Sequence, residues 1–271
     1  MPANTRVEML DRFHDAVERG GDLTFSRSEG KKAYQRLEKA LRDVQSARRQ
    51  TLQYEMLWYR VAIFGSARLS ENSEEFQFVT GLSKALVESR DVDIVTGGGP
   101  GIMEAAHKGV KLAQHEAEEN HKKFRPKNYG ITISTLPNNE PQNSFIHFVN
   151  DHEEFSSRLQ AFVDKTDAAI FCAGGYGTDL ELAYLRQLKQ VGHLETDYPI
   201  IIIDRSWWKI HQTRVNELYY KRIALGKMPL ISERDLDLAI YESRIPEIVE
   251  TVSTNYDKWV RDVRSHIKVT K

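Results

Sequence analysis

Cysteine is nearly absent from this chain: Cys172 stands alone in 271 residues. A lone cysteine excludes an intrachain disulfide framework and fits a reducing cytoplasm, which is the compartment expected here. Net charge is equally scarce. With 38 Lys and Arg against 39 Asp and Glu, nothing draws the chain in bulk to nucleic acid or to an anionic membrane, so a partner has to be read from local sites. No window approaches the roughly 20 apolar residues of a membrane span, and the opening MPANTRVEMLDRFHD lacks the apolar stretch of a secretory signal. The nine histidines form no His-x-x-x-His pair and no His/Cys ligand cluster. They read as structural or surface groups, and neither a metal nor a cofactor is expected.

What is present divides the chain in two. Residues 1–58 carry few strand signals and a helical period, with Tyr34, Leu37, Leu41 and Val44 on one face, and are expected to form an N-terminal helical extension. Their cations are interleaved with Glu38 and Asp43, which suits a solvated face better than a phosphate-tracking stripe. Residues 59–271 change to short apolar runs alternating with amphipathic stretches, and are expected to form one α/β domain closed by C-terminal helices. Strands are expected at VAIF (61–64), at 92–95, at GITIS (130–134), at DAAIFC (167–172) and at YPIIIID (198–204). Asn72 and Glu75 have capping-box spacing ahead of the first of the intervening helices. The alternation predicts a Rossmann-like, doubly wound parallel sheet with helices on both faces.

In such a sheet the loops leaving the carboxyl ends of the strands share one edge, where ligands bind. Three of these loops are rich in small residues: GSAR (65–68), TGGGPG (96–101) and AGGYGT (173–178). Each precedes a predicted helix, whose first backbone N–H groups bind phosphate without a basic side chain. Any one of them read alone is often just a tight turn; three in series are less easily dismissed. None is a Walker loop and none fits the dinucleotide fingerprint, so a monophosphate is the favoured ligand.

Thr178 and Glu181 are spaced as a capping box, which explains both without chemistry. The glycines beside them support a second account, in which the Glu181 carboxylate lies a few ångströms from a bound phosphate, where a sugar would be. Arg158 is open in the same way: a surface arginine paired with Glu153 or Glu154, or a guanidinium brought to the sheet edge by a helix that runs into the strand before AGGYGT. Phe155, Leu159, Phe162 and Val163 of that helix are expected to face the core.

At these residues the chain resembles the LOG (Lonely Guy) family of phosphoribohydrolases, whose members have also been described as lysine decarboxylases. The family signature Pro-Gly-Gly-x-Gly-Thr-x-x-Glu is matched by Ala173 to Glu181, and its earlier glycine turn by Gly97-Gly98-Gly99-Pro100-Gly101-Ile102-Met103. Arg158 stands at the family arginine's distance before the signature, and LPNNEPQN (136–143) resembles a segment that carries over Asn143. The likeness runs from about Arg60 to Trp208. It departs at Ala173, where the family has proline, and at Leu180, where many members have the first of two adjacent glutamates.

The resemblance implies hydrolysis of a nucleoside 5'-monophosphate, AMP or an N6-modified AMP favoured, to free base and ribose 5-phosphate. It implies catalytic roles for Glu181, at ribose and water, and for Arg158, acting electrostatically. Substrate and phosphate binding fall to Gly65 and Ser66 in the first turn, and to Gly98, Gly99, Gly101 and Met103 in the second. Asn143 joins them, with Gly174, Gly175, Tyr176, Gly177 and Thr178 of the signature. A homodimer or larger homo-oligomer is implied as well. The competing account is a non-catalytic carrier or sensor of a nucleotide or phosphorylated cofactor, such as a molybdenum-cofactor carrier. A pyridoxal decarboxylase would need a Schiff-base lysine, and no lysine lies in these loops.

Overall fold

The computed structural model describes residues 58–133 and 141–269. The expected extension, up to residue 57, and the LPNNE part of the 136–143 segment lie outside the described residues. In chain order the elements are β1 (Arg60–Phe64), α1 (Glu74–Ser89), β2 (Asp93–Thr96), α2 (Ile102–Glu119), β3 (Asn128–Ile133), β4 (Phe148–His152), α3 (Phe155–Lys165) and β5 (Ala168–Phe171). There follow α4 (Tyr176–Gln190), β6 (Ile200–Ile202), α5 (Arg205–Leu218), the short α6 (Tyr220–Ala224), a 3-10 turn (Glu233–Asp235), β7 (Ile240–Tyr241) and α7 (Ile245–Val269). The strands form one parallel sheet in the order β4-β3-β2-β1-β5-β6-β7.

Strand residues alternate between two cores. Val61 and Ile63 of β1 pack with Phe76, Leu82 and Leu86 of α1, with Ile102 and Val110 of α2, and with Ile248 and Val252 of α7. Ala62 and Phe64 face the other way, onto Phe162 of α3 and Leu182 and Leu185 of α4. Burial on both faces is why the central strands read as unbroken apolar runs. All five expected strands form, and two more appear. β4 is an edge strand with exposed Phe148 and Val149, and β7 is two residues long, so neither has the apolar run that would announce it. The cap of α1 is Ser73, whose hydroxyl accepts from Phe76 N–H at 3.2 Å, one residue later than the spacing of Asn72 suggested. No described helix is long and apolar enough to cross a membrane.

Candidate functional site

The strand order reverses direction between β1 and β5: the chain goes from β1 out to β2, and from β5 out to β6 on the opposite side. The loops that follow β1 and β5 therefore diverge and leave a crevice at the carboxyl edge, the place where such sheets bind ligands. All three glycine-rich turns meet there. Ser66 N–H donates to the Ala173 carbonyl and Ile102 N–H to the Ser66 carbonyl, both at 3.0 Å, so the turns are tied to one another through backbone. Ala173 serves this bond with its carbonyl, which proline would supply equally well.

Gly98 and Gly101 have φ of +81° and +68°, and a Cβ on Gly101 would lie 2.4 Å from the Ser66 oxygen. Only glycine fits there. Gly65 is pressed against Ile102, and Gly174 against Thr178. Gly175 and Gly177 are different: nothing stands within 4 Å of where their Cβ atoms would be, so their backbone is open to a ligand. They frame the start of α4, where the amides ahead of Asp179 have no intrahelical acceptor. Tyr176 projects into solvent at 96% exposure. Met103 lines the cleft with its sulfur beside Gly97.

The capping-box account of Thr178 and Glu181 does not hold. The N-cap is Gly175 and no side chain caps this helix, which puts Thr178 inside the first turn with its side chain buried on Gly174. Glu181, one turn further, is 9% exposed and lines the cleft. Arg158 reaches it from α3. Its Nε donates to the Ile131 carbonyl at 3.0 Å, its Nη1 lies 3.4 Å from Glu181 Oε1, and its guanidinium covers the Phe162 ring at 5.4 Å. Gly97 has no side chain because Arg158 Nη2 occupies that space, 2.5 Å from where a Cβ would be.

Residues 103–226 match the family model described as "Possible lysine decarboxylase". That segment holds Arg158 and the loop from Ala173 to Glu181, the residues on which the resemblance to the LOG family rests. A pyrimidine/purine nucleotide 5'-monophosphate nucleosidase of Escherichia coli K12 is 30% identical over 125 residues, which are 46% of this chain and 26% of that protein. The chain thus matches about a quarter of the curated relative's length. Among solved structures, the molybdenum cofactor binding protein of Rippkaea orientalis is 17% identical with a TM-score of 0.49, covering 73% of this chain and 96% of its own. The molybdenum cofactor carrier protein of Chlamydomonas reinhardtii is 15% identical with a TM-score of 0.48, covering 74% and 99%.

The family's decarboxylase description implies pyridoxal phosphate, and the residues do not fit it. Among the described residues lining the cleft of about 1400 Å³ there is no lysine to hold it as a Schiff base. The family glutamate is better placed for chemistry. Burial pushes the Glu181 carboxyl up to about 7, against the pull of the Arg158 charge, so it exchanges a proton near neutrality. Cys172 is excluded as a nucleophile. It is buried at the end of β5, and its thiol is pushed up to about 12, chiefly by burial.

Asn143 is bonded to the second glycine turn. Its amide donates to the Gly98 and Gly99 carbonyls at 3.1 and 2.9 Å, while its own Oδ1 faces His107 Nδ1 at 3.2 Å. The other imidazole nitrogen, Nε2, lies 3.2 Å from the Thr96 hydroxyl, which accepts from Gly98 N–H at 2.9 Å. Because the Asn143 amide nitrogen serves two carbonyls, its oxygen is the acceptor for the imidazole. The network therefore assigns the proton to Nδ1 and leaves Nε2 to accept from Thr96. The hydrogen bonds run from Gly98 N–H through Thr96, His107 and Asn143 back to the Gly98 carbonyl. Burial pushes His107 down to about 4, with His147 adding to it and with Asn143 and the Tyr129 backbone opposing it, so the ring is neutral as this closed chain requires. His107 and Thr96 escaped the reading of the sequence because their role depends on Asn143, 36 positions away from His107. Phe155, expected in the core, is 45% exposed and lines the cleft instead.

Proposed function

We propose that this chain hydrolyses the N-glycosidic bond of a nucleoside 5'-monophosphate, with AMP or an N6-modified AMP as the favoured substrate. The observation that carries the reading is Glu181: a buried, cleft-lining carboxylate paired with Arg158 and set one turn inside a helix whose glycine-flanked amides face the cleft. The E. coli relative's name supports the same reaction class for this chain. In this account the amides of Gly174 to Thr178 receive the phosphate, and Gly97 to Gly99, held by Asn143, form the opposite wall.

Ribose then lies over Glu181. Water attacks the anomeric carbon as the C–N bond breaks; the bonding pair leaves with the base, and the proton lost by water passes to the Glu181 carboxylate. That carboxylate also faces the positive charge developing on the sugar. Arg158, anchored at Ile131, keeps part of the Glu181 population ionised and leaves its Nη groups facing the cleft. A homo-oligomer and a cytoplasmic location complete the proposal.

Pure protein incubated with AMP is expected to release adenine and ribose 5-phosphate, seen by mass spectrometry. A panel of common nucleoside monophosphates sets the base preference. Tight binding with no released base from any of them would overturn the enzyme and assign a carrier or sensor.

A further inference from the structure

The cleft continues past Glu181 along α4 to a wall made by α5. Three basic side chains line it there, Arg186 from α4 with His211 and Arg214 from α5. His211 is 4% exposed, and both of its ring nitrogens are buried with no hydrogen-bond partner among the described residues. Arg186 Nε is in the same condition. Among the described residues neither arginine has an ion pair. Asp179 is felt by Arg186 only at a distance, and the Asp235 carboxylate is taken by Ser232 and Gln190. Burial and then the Arg214 charge hold Arg186 below the usual guanidinium range. A half-buried cation with no acceptor, repelled by a second cation, is disfavoured until an anion joins it.

We propose that Arg186, His211 and Arg214 form a second anion subsite of the cleft, for a free phosphate-type oxyanion separate from the phosphate of a bound nucleotide. Two guanidinium groups offer planar forks that match such oxyanions, and His211 adds a ring N–H. The Trp208 ring packs beside that of His211, with centroids 5.0 Å apart. The subsite is distinct from the glycine edge by helix geometry. Arg186 is five residues beyond Glu181, roughly 7.5 Å further along α4 and about 140° round it, whereas Gly174 to Gly177 precede Glu181. A nucleotide phosphate and this oxyanion therefore lie on opposite sides of Glu181 along α4. The inference stands apart from the proposed hydrolysis, since it uses none of the residues assigned to that reaction.

The test is an NMR titration of the full chain, labelled at histidine, with inorganic phosphate alone. The His211 ring signals are expected to move and saturate, and to titrate at a higher pH once phosphate is bound. The double variant Arg186→Gln/Arg214→Gln should weaken that response at least tenfold while cleaving AMP with an unchanged kcat. In the absence of phosphate it should melt no lower than the parent, because two unanswered charges are gone. Still His211 signals would overturn the proposal, and so would movement with a nucleoside monophosphate but not with phosphate. A double variant that breaks up an oligomer, with no phosphate response in the parent, would also overturn it and assign the arginines to a carboxylate of a second copy.

Discussion

The two ends of the sheet each hold an arginine among buried carboxylates, and they treat those carboxylates in opposite ways. At the amino edge, Arg60 opens β1 with Asp93 opposite it in β2 and Asp167 just before β5. Asp93 accepts from Lys127 N–H at 2.8 Å and Asp167 from Arg60 N–H at 2.9 Å, and the Arg60 guanidinium sits over the Tyr129 ring. Both carboxylates are tied to backbone donors, and neither lines the cleft that holds Glu181. At the carboxyl edge Glu181 accepts no backbone N–H among the described residues. Among the described residues its ion-pair partner is Arg158, at 3.4 Å. All three acids are pushed up by burial, Asp93 and Asp167 to about 6 and Glu181 to about 7. A perturbed carboxyl is thus no mark of function by itself. One in a cleft with no backbone donor is a candidate for it.

The largest effect that would break this comparison is at Glu181. Glu181→Gln is expected to lower kcat/KM for AMP at least a hundredfold and, at pH 8, to raise thermal stability. The sign follows from linkage: between pH 4.5 and about 7 the folded chain holds a proton that the unfolded chain has lost, so stability falls as pH rises through that window. By pH 8 the deficit is roughly 3 kcal/mol, which the glutamine removes. A variant that is both inactive and less stable would contradict this assignment.

The pH profile sharpens the same point without a Glu181 substitution. Activity should rise with pH to a plateau, with a midpoint near 7 in kcat/KM. Arg158→Gln removes the opposing charge and should move that midpoint upward as well as lower the rate. At the amino edge the expectation reverses: Asp167→Ala leaves the Arg60 amide without its acceptor and should cost about 1–3 kcal/mol in urea unfolding, with the turnover of the folded fraction unchanged. The smallest effect is at the glycine wall. His107→Gln cannot reproduce the Thr96-to-Asn143 bridge and should raise KM about tenfold, roughly 1.4 kcal/mol of binding, with kcat nearly intact; a fall in kcat instead would place His107 in the chemistry.

Much of this site was legible in the chain itself. The five buried strands announce themselves as apolar runs because both of their faces are covered, and the three turns do so because close backbone approach and positive φ require glycine locally. Where such periodicity is absent, as in edge strands β4 and β7, the sequence carries little to find. Helix phase was a weaker guide: Phe155 shares the apolar stripe of α3, but it lies where that helix overhangs the cleft.

By itself, then, the sequence determined the doubly wound sheet, the edge at which its glycine turns gather and the residue types offered there. Tertiary structure alone decided which of them meet. It turned Thr178 inward, set Glu181 beside Arg158 without a backbone donor, and directed the Asn143 amide at two glycine carbonyls and its oxygen at His107. The physical reason is range: turn and strand preferences act between neighbours in the chain, whereas hydrogen bonds and burial at this edge join residues dozens of positions apart, whose meeting is set by how the helices pack on the sheet.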